Sequence, residues 1–239
     1  MTESKIYLFN FITFDNIDII ETTKNQNGLV AISTHPEHNV VAFPGEEKGV
    51  VKVKIYHEDD EESEIKKFTA HESQIVCISL NNTGNLLATA SDKGTLIRIF
   101  NVIDETKIKE LRRGSENAMI YSISFDNNSK YVCCTSERST IHIFSLGSTQ
   151  GKNTEDQEVK NQVSFISKIT KLFNKNSQTY FDSEWSFAKF KIKETKCIGS
   201  FGKDNNLIII TANGKYYQAQ FDTKNGGDCI KKNEHILLF

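Results

Sequence analysis

Proline is almost missing from this chain, with two in 239 residues, and turns fall to Asn, Gly and Ser instead. Strands can therefore run without the residue that cannot donate to a β-ladder. Also missing is any apolar run approaching the ~20 residues of a membrane-spanning helix. The opening residues, Met1 to Lys5, lead into only a short apolar stretch, which reads as no secretory signal and a soluble or peripheral protein. The five cysteines form no Cys-x-x-Cys pair, and none stands at zinc-finger spacing to histidine. The expectation is reduced thiols packed as small hydrophobes in a cytoplasmic protein, with no metal. Catalytic signatures are lacking too. There is no Gly-x-Ser-x-Gly elbow, Walker loop or His-Glu-x-x-His, and Gly199-Ser200-Phe201-Gly202-Lys203-Asp204 resembles a phosphate loop only in outline. Neither an enzyme nor a cofactor carrier is expected. A net charge of −2, with pI near 6.3, excludes the dominant basic surface that capture of nucleic acid needs. Any anion site must be local.

What is present is a repeat, in a chain whose 38% hydrophobic residues suffice for a packed core. Four segments superimpose: Leu29 to Val53, Ile75 to Asn101, Ile120 to Leu146 and Cys197 to Phe221. Each reads as apolar strand, polar turn, apolar strand, short turn and a third strand. The first three begin 46 and 45 residues apart, and the gap of 77 before the fourth holds an insertion. A period in the mid-forties with short strands is the signature of a β-propeller blade. Fourth strands are expected at Ile65 to Thr69, Lys107 to Leu111, Trp185 to Ile192 and Asp228 to Lys232. Ile6 to Phe9 and Ile17 to Glu21 read as the last two strands of an earlier blade. The expected fold is all-β: a WD40-like β-propeller forming one domain over 1–239. It would comprise a half blade at 1–22 and blades at 28–69, 71–111, 118–192 and 196–239, with the insertion at 147–183. An unclosed ring of this kind presents unpaired strand edges.

Between the second and third units stands Leu111-Arg112-Arg113-Gly114. Successive side chains of extended backbone point to opposite sides, so the two guanidinium groups can serve separate pockets. Each offers phosphate a fixed fork of donors and stays charged at cellular pH. A solvated surface pair is the plainer account of such a doublet, and the flanking repeats favour an anion grip. Aligned from their final Phe, with one residue of the longer second unit skipped after Thr95, the second and third units bring Arg98 opposite His142 and Thr95 opposite Thr140, with Ser91 and Lys93 opposite Ser136 and Arg138. Turn chemistry also accounts for the hydroxyl residues taken singly, and strand-edge packing for the histidines.

These residues resemble the PROPPIN family, the phosphoinositide-binding β-propellers of autophagy whose animal members are called WIPI proteins. The resemblance spans nearly the whole chain. It rests on the Leu111 to Gly114 motif, Ala70-His71-Glu72-Ser73-Gln74-Ile75, Lys93-Gly94-Thr95-Leu96-Ile97-Arg98-Ile99-Phe100, Ala42-Phe43-Pro44-Gly45 and Tyr180-Phe181-Asp182-Ser183-Glu184-Trp185-Ser186. It implies a seven-bladed fold, here about four and a half blades, and binding of phosphatidylinositol 3-phosphate and 3,5-bisphosphate at phagophore or endosomal and vacuolar membranes. The Leu-Arg-Arg-Gly spelling is similar to the branch that pairs with the lipid-transfer protein of autophagosome growth. By resemblance, one pocket uses Arg112 with His71, Ser91, Lys93, Thr95 and Arg98. The other uses Arg113 with Ser136, Arg138, Thr140 and His142.

The insertion becomes amphipathic toward its end. At ~100° per residue of an α-helix, Phe165, Ile166, Ile169, Leu172 and Phe173 share one stripe, with Lys168 and Lys171 outside it. A helix packed on the propeller's own side fits this pattern, and so does contact with a bilayer. Resemblance to the membrane-inserting loop of the family favours the bilayer. The acidic run Glu58 to Glu62, with Glu64, reads as a solvated loop that anionic lipid would repel. The rival function is a protein-protein scaffold in which the arginine pair meets an acidic peptide.

Overall fold

The computed structural model describes residues 4–57, 62–147 and 183–237. The amphipathic stripe from Phe165 to Phe173 and most of the acidic run, 58–61, lie outside them. Period-two apolar alternation dictates strands, and every regular element among the described residues is one. β1 (Lys5–Phe9) and β2 (Asn16–Glu21) form an antiparallel hairpin. The first four-stranded sheet follows in chain order as β3 (Ala31–Ile32), β4 (Asn39–Pro44), β5 (Val50–Tyr56) and β6 (Glu64–Thr69). A second holds β7 (Ile75–Leu80), β8 (Leu86–Ser91), β9 (Leu96–Asn101) and β10 (Lys107–Arg112). The third begins with β11 (Ile120–Phe125), β12 (Tyr131–Ser136) and β13 (Thr140–Ser145). Beyond the insertion come β14 (Glu184–Trp185) and then β15 (Ala188–Lys191), the fourth strand of that sheet. The last sheet is β16 (Cys197–Phe201), β17 (Asn206–Thr211), β18 (Lys215–Gln220) and β20 (Ile230–Ile236), with β19 (Gly227–Asp228) just before β20. Each sheet is an antiparallel meander, the blade of a β-propeller.

In the first three blades the second strand is buried on both faces, and its alternation feeds two separate cores. Leu86, Ala88 and Ala90 of β8 pack with Ile123, Val132 and Cys134 of the following blade, while Leu87 packs with Val40, Ala42, Val51 and Val53 of the preceding one. β12 repeats the division. Cys134 faces back toward the second blade, and Cys133 faces forward to Cys197, Leu207 and Ile209. All five cysteines are free thiols, and burial pushes Cys77, Cys133 and Cys197 up to about 11, which suits packing rather than reactivity.

Hydroxyls join the blades as well. Thr135 Oγ1 donates to the Cys197 carbonyl at 2.8 Å and lies 2.7 Å from Ser122 Oγ, which accepts from Gly199 N at 3.0 Å. At the hairpin, Ile6 and Ile20 pack on Val41 and Phe43, and Asp18 accepts from Lys54 and Tyr56, both at 2.6 Å. Its outward face leaves Tyr7, Ile17 and Ile19 exposed.

Two short parallel bridges depart from the sequence expectation. Trp185, expected within a fourth strand, lies in β14, which extends the preceding blade through the pairs Leu111↔Glu184 and Arg112↔Trp185. Asp228 likewise belongs to β19, which pairs with β15 through Ala188↔Gly227 and Lys189↔Asp228. The reason is hydrogen-bond supply. The outer strand of a blade has an open edge, and residues that precede the next outer strand pass along it before joining their own sheet.

Candidate anion-binding site

Arg112 ends β10 and Arg113 follows it, with the Arg113 amide donating to the Thr95 carbonyl at 2.9 Å. Extended geometry continues through the pair, so the two side chains diverge. Arg112 Nε donates to Ser183 Oγ at 2.7 Å. Arg113 Nε donates to the Gly94 carbonyl at 2.8 Å, and its Nη2 donates to the Glu116 carbonyl. Both residues are deeply buried, at 7% and 5% exposure. Among the described residues no carboxylate lies within ion-pair distance of Arg113. Burial is also what lowers the pKa of its guanidinium. Gly94 has φ +60°, and a Cβ there would stand 1.7 Å from the Ala118 carbonyl. That clash makes glycine the residue able to present this carbonyl to Arg113.

Around Arg98, the structure brings part of the first expected set together. His71 Nε2 lies 3.0 Å from Thr89 Oγ1, and Thr89 is the register partner of Arg98. Arg98 Nη1 donates to the Ala70 carbonyl at 2.7 Å. Burial, and after it the Arg98 charge, pulls the His71 imidazole down to about 4, leaving it neutral near pH 7. Sequence reasoning missed Glu110, which sits opposite Arg98 on β10 and accepts its Nε at 2.8 Å from a carboxylate only 8% exposed. Arg98 is thus already neutralised. Ser91 is buried, Thr95 is half-buried and Lys93 is exposed. Their nearness to Arg113 is through backbone: the carbonyl of Gly94, between Lys93 and Thr95, takes its Nε.

The second set is linked through Glu116. Arg138 Nη2 reaches the Glu116 carboxylate at 2.7 Å, and the Arg138 amide donates to Ser136 Oγ at 3.3 Å. The Thr140 amide donates to the Arg138 carbonyl at 2.7 Å. His142 Nδ1 lies 3.3 Å from Ser186 Oγ, and its ring stacks near Phe144 with centroids 6.1 Å apart. Burial first, then the charges of Lys189 and Arg113, pulls His142 down to about 4. It too is a neutral hydrogen-bonding group at pH 7. Ser183, Ser186 and Lys189 were not expected in the site. In the sequence the run Ser183-Glu184-Trp185-Ser186 stands out only as a family motif, which is the signal it offers. Among the described residues no group of three or more His, Cys, Asp or Glu is placed to hold a metal ion.

The family model for PROPPIN matches residues 1–238. The chain belongs to the PROPPIN family. This PROPPIN is 36% identical over 235 residues to autophagy-related protein 18e of Arabidopsis thaliana, covering 98% of the chain and 58% of that relative. It is 27% identical over 250 residues to WD repeat domain phosphoinositide-interacting protein 1 of Xenopus laevis, covering 99% and 56%. The chain thus spans rather more than half the length of these relatives. Among solved structures it is similar to Kluyveromyces lactis Hsv2, with TM-score 0.72 at 17% identity, covering 100% of the chain and 72% of that one. A second similar structure is a complex of KlAtg21 with a coiled coil of AgAtg16, with TM-score 0.67 at 23% identity, covering 99% and 66%. The fold is shared with these two solved structures.

Proposed function

We propose that this PROPPIN binds membrane phosphoinositides, phosphatidylinositol 3-phosphate and 3,5-bisphosphate, through two recesses flanking Arg112 and Arg113. Its place of action in this reading is the phagophore or the endosomal and vacuolar membrane, in autophagosome formation. The observation that carries the reading is Arg113: a buried guanidinium held in place by carbonyl oxygens, with no carboxylate within ion-pair distance among the described residues. A buried cation fixed by neutral acceptors retains its full attraction for an arriving anion, whereas one fixed by a carboxylate does not. Neutral His71 and His142 and the nearby hydroxyls suit the uncharged hydroxyls of an inositol ring. The relatives named as autophagy-related and phosphoinositide-interacting agree with this chemistry. In this reading the amphipathic stretch from Phe165 to Phe173 adds shallow bilayer contact. Several weak contacts on one surface then act multivalently.

Flotation with liposomes tests the proposal. The protein is expected to float with vesicles containing either lipid and to remain behind with vesicles of neutral phosphatidylcholine. Arg112→Thr with Arg113→Thr should abolish flotation while the circular dichroism spectrum and melting temperature stay close to wild type. Phe165→Ser with Phe173→Ser should weaken vesicle binding and leave binding of a soluble headgroup intact. Equal flotation of wild type and the double arginine variant would overturn the reading in favour of a protein-binding propeller.

A further inference from the structure

The two recesses are built on the same frame but carry different charge, and the difference lies on the outer strands. Arg98 of β9 faces Glu110 of β10. His142 of β13, the equivalent position one blade later, faces Lys189 of β15. Directly opposed residues of an antiparallel pair have neighbouring side chains on one face of the sheet. Cys134, the other register partner of His142, packs back toward the second blade, whereas Ile141 and Ile143 pack forward. His142 and Lys189 therefore look toward the junction where Arg113 lies. Period-two alternation assigns the arginines to the two sides in the same way. Arg112 shares the face of Glu110, and Arg113 shares that of Leu111, which packs against the third blade.

Resting on the phosphoinositide reading above, we infer that Lys189 is a headgroup-binding residue of the second recess and supplies that recess with a cation for a second phosphate. In the first recess the buried Glu110 carboxylate occupies Arg98 and also lies 3.5 Å from Lys107, so the cation at the equivalent position is paired before any ligand arrives. In the second, Lys189 is half-buried and has no carboxylate within ion-pair distance among the described residues. Its neighbour His142 is neutral, and Arg113 is held by carbonyls. Arg138 is turned outward onto Glu116. Two cations without an ion-pair partner among the described residues, Arg113 and Lys189, thus frame a neutral imidazole and the Ser186 hydroxyl. A flexible ammonium suits a second phosphate whose position differs from the one held by a rigid guanidinium fork.

Calorimetric titration with water-soluble dibutanoyl phosphatidylinositol 3-phosphate and 3,5-bisphosphate separates the recesses once one arginine is removed. In Arg112→Thr protein, which keeps the second recess, the bisphosphate is expected to bind tighter by on the order of ten-fold, the worth of one charge-assisted hydrogen bond. Adding Lys189→Gln should erase that preference, and Lys189→Arg should restore most of it. In Arg113→Thr protein, which keeps the first recess, Lys189→Gln should change neither affinity. Unchanged titration by Lys189→Gln in the Arg112→Thr protein would overturn the role of Lys189 while leaving the arginine flotation result standing. Failure of wild type to bind either headgroup would overturn both. Melting temperatures close to the parent variants keep a folding defect from imitating either result.

Discussion

Two histidines near the arginine pair are held neutral by burial, and this ties the site to stability. His71 and His142 each titrate near 4 in the fold, against an ordinary value of 6.5. Above about pH 6.5 both are neutral whether the chain is folded or not, and they contribute nothing to pH dependence. Between that value and about 4 the unfolded chain takes up protons that the folded chain refuses, so stability falls as pH falls. At about 1.4 kcal/mol per pH unit, the loss approaches roughly 3 kcal/mol apiece. Thermal melts between pH 7 and 5, a range above most carboxylate titration, are expected to show a falling melting temperature. His71→Asn with His142→Asn should flatten that slope. An unaltered slope would mean that both imidazoles titrate in the fold as they do in the unfolded chain. The same neutrality means that these side chains meet a ligand as hydrogen-bond partners and leave the ionic work to Arg113 and Lys189.

At the scale of elements, joints between blades mix apolar contact with a few placed hydroxyls, and Thr135 is among the most buried of these. It is fully enclosed and bridges β12 to the Cys197 carbonyl on the next blade. Thr135→Val keeps the shape but leaves that carbonyl and the Ser122 hydroxyl short of a partner, which should cost about 1–3 kcal/mol in a denaturant titration. A loss below about 0.5 kcal/mol would show that water takes over the bond. How much of this was legible beforehand follows from the range of each signal. The mid-forties period and the alternation within Leu86 to Ser91 are local, so the blades could be read from the chain alone. The doublet Arg112-Arg113 was legible for the same reason, and its two guanidinium groups take different partners, Ser183 and the Gly94 carbonyl. The two parallel bridges were not, because β14 and β19 borrow an edge from a neighbouring blade and carry no local pattern of that debt. Nor was the contrast between Glu110 and Lys189 visible. It needs the register of two outer strands, one of them displaced by the insertion between Gly147 and Ser183.

For the whole molecule, the blades are unequally secured. β8 and β12 are sandwiched between cores on both sides, whereas the hairpin β1–β2 meets the rest chiefly through Ile6, Ile20 and the Asp18 contacts. Hydrogen exchange should therefore release the hairpin amides at least about ten-fold faster than those of β8 and β12, since opening free energy follows local burial. Uniform protection would mean that the assembly opens only as a unit. The bridge of Glu184 and Trp185 to Leu111 and Arg112 has a mechanical consequence. Chain leaving the third blade at Gly147 returns at Ser183, stitched to the second blade beside the guanidinium that its hydroxyl steadies. A tug on the intervening residues is consequently delivered as shear across a seam between blades, with Arg112 at the last stitch.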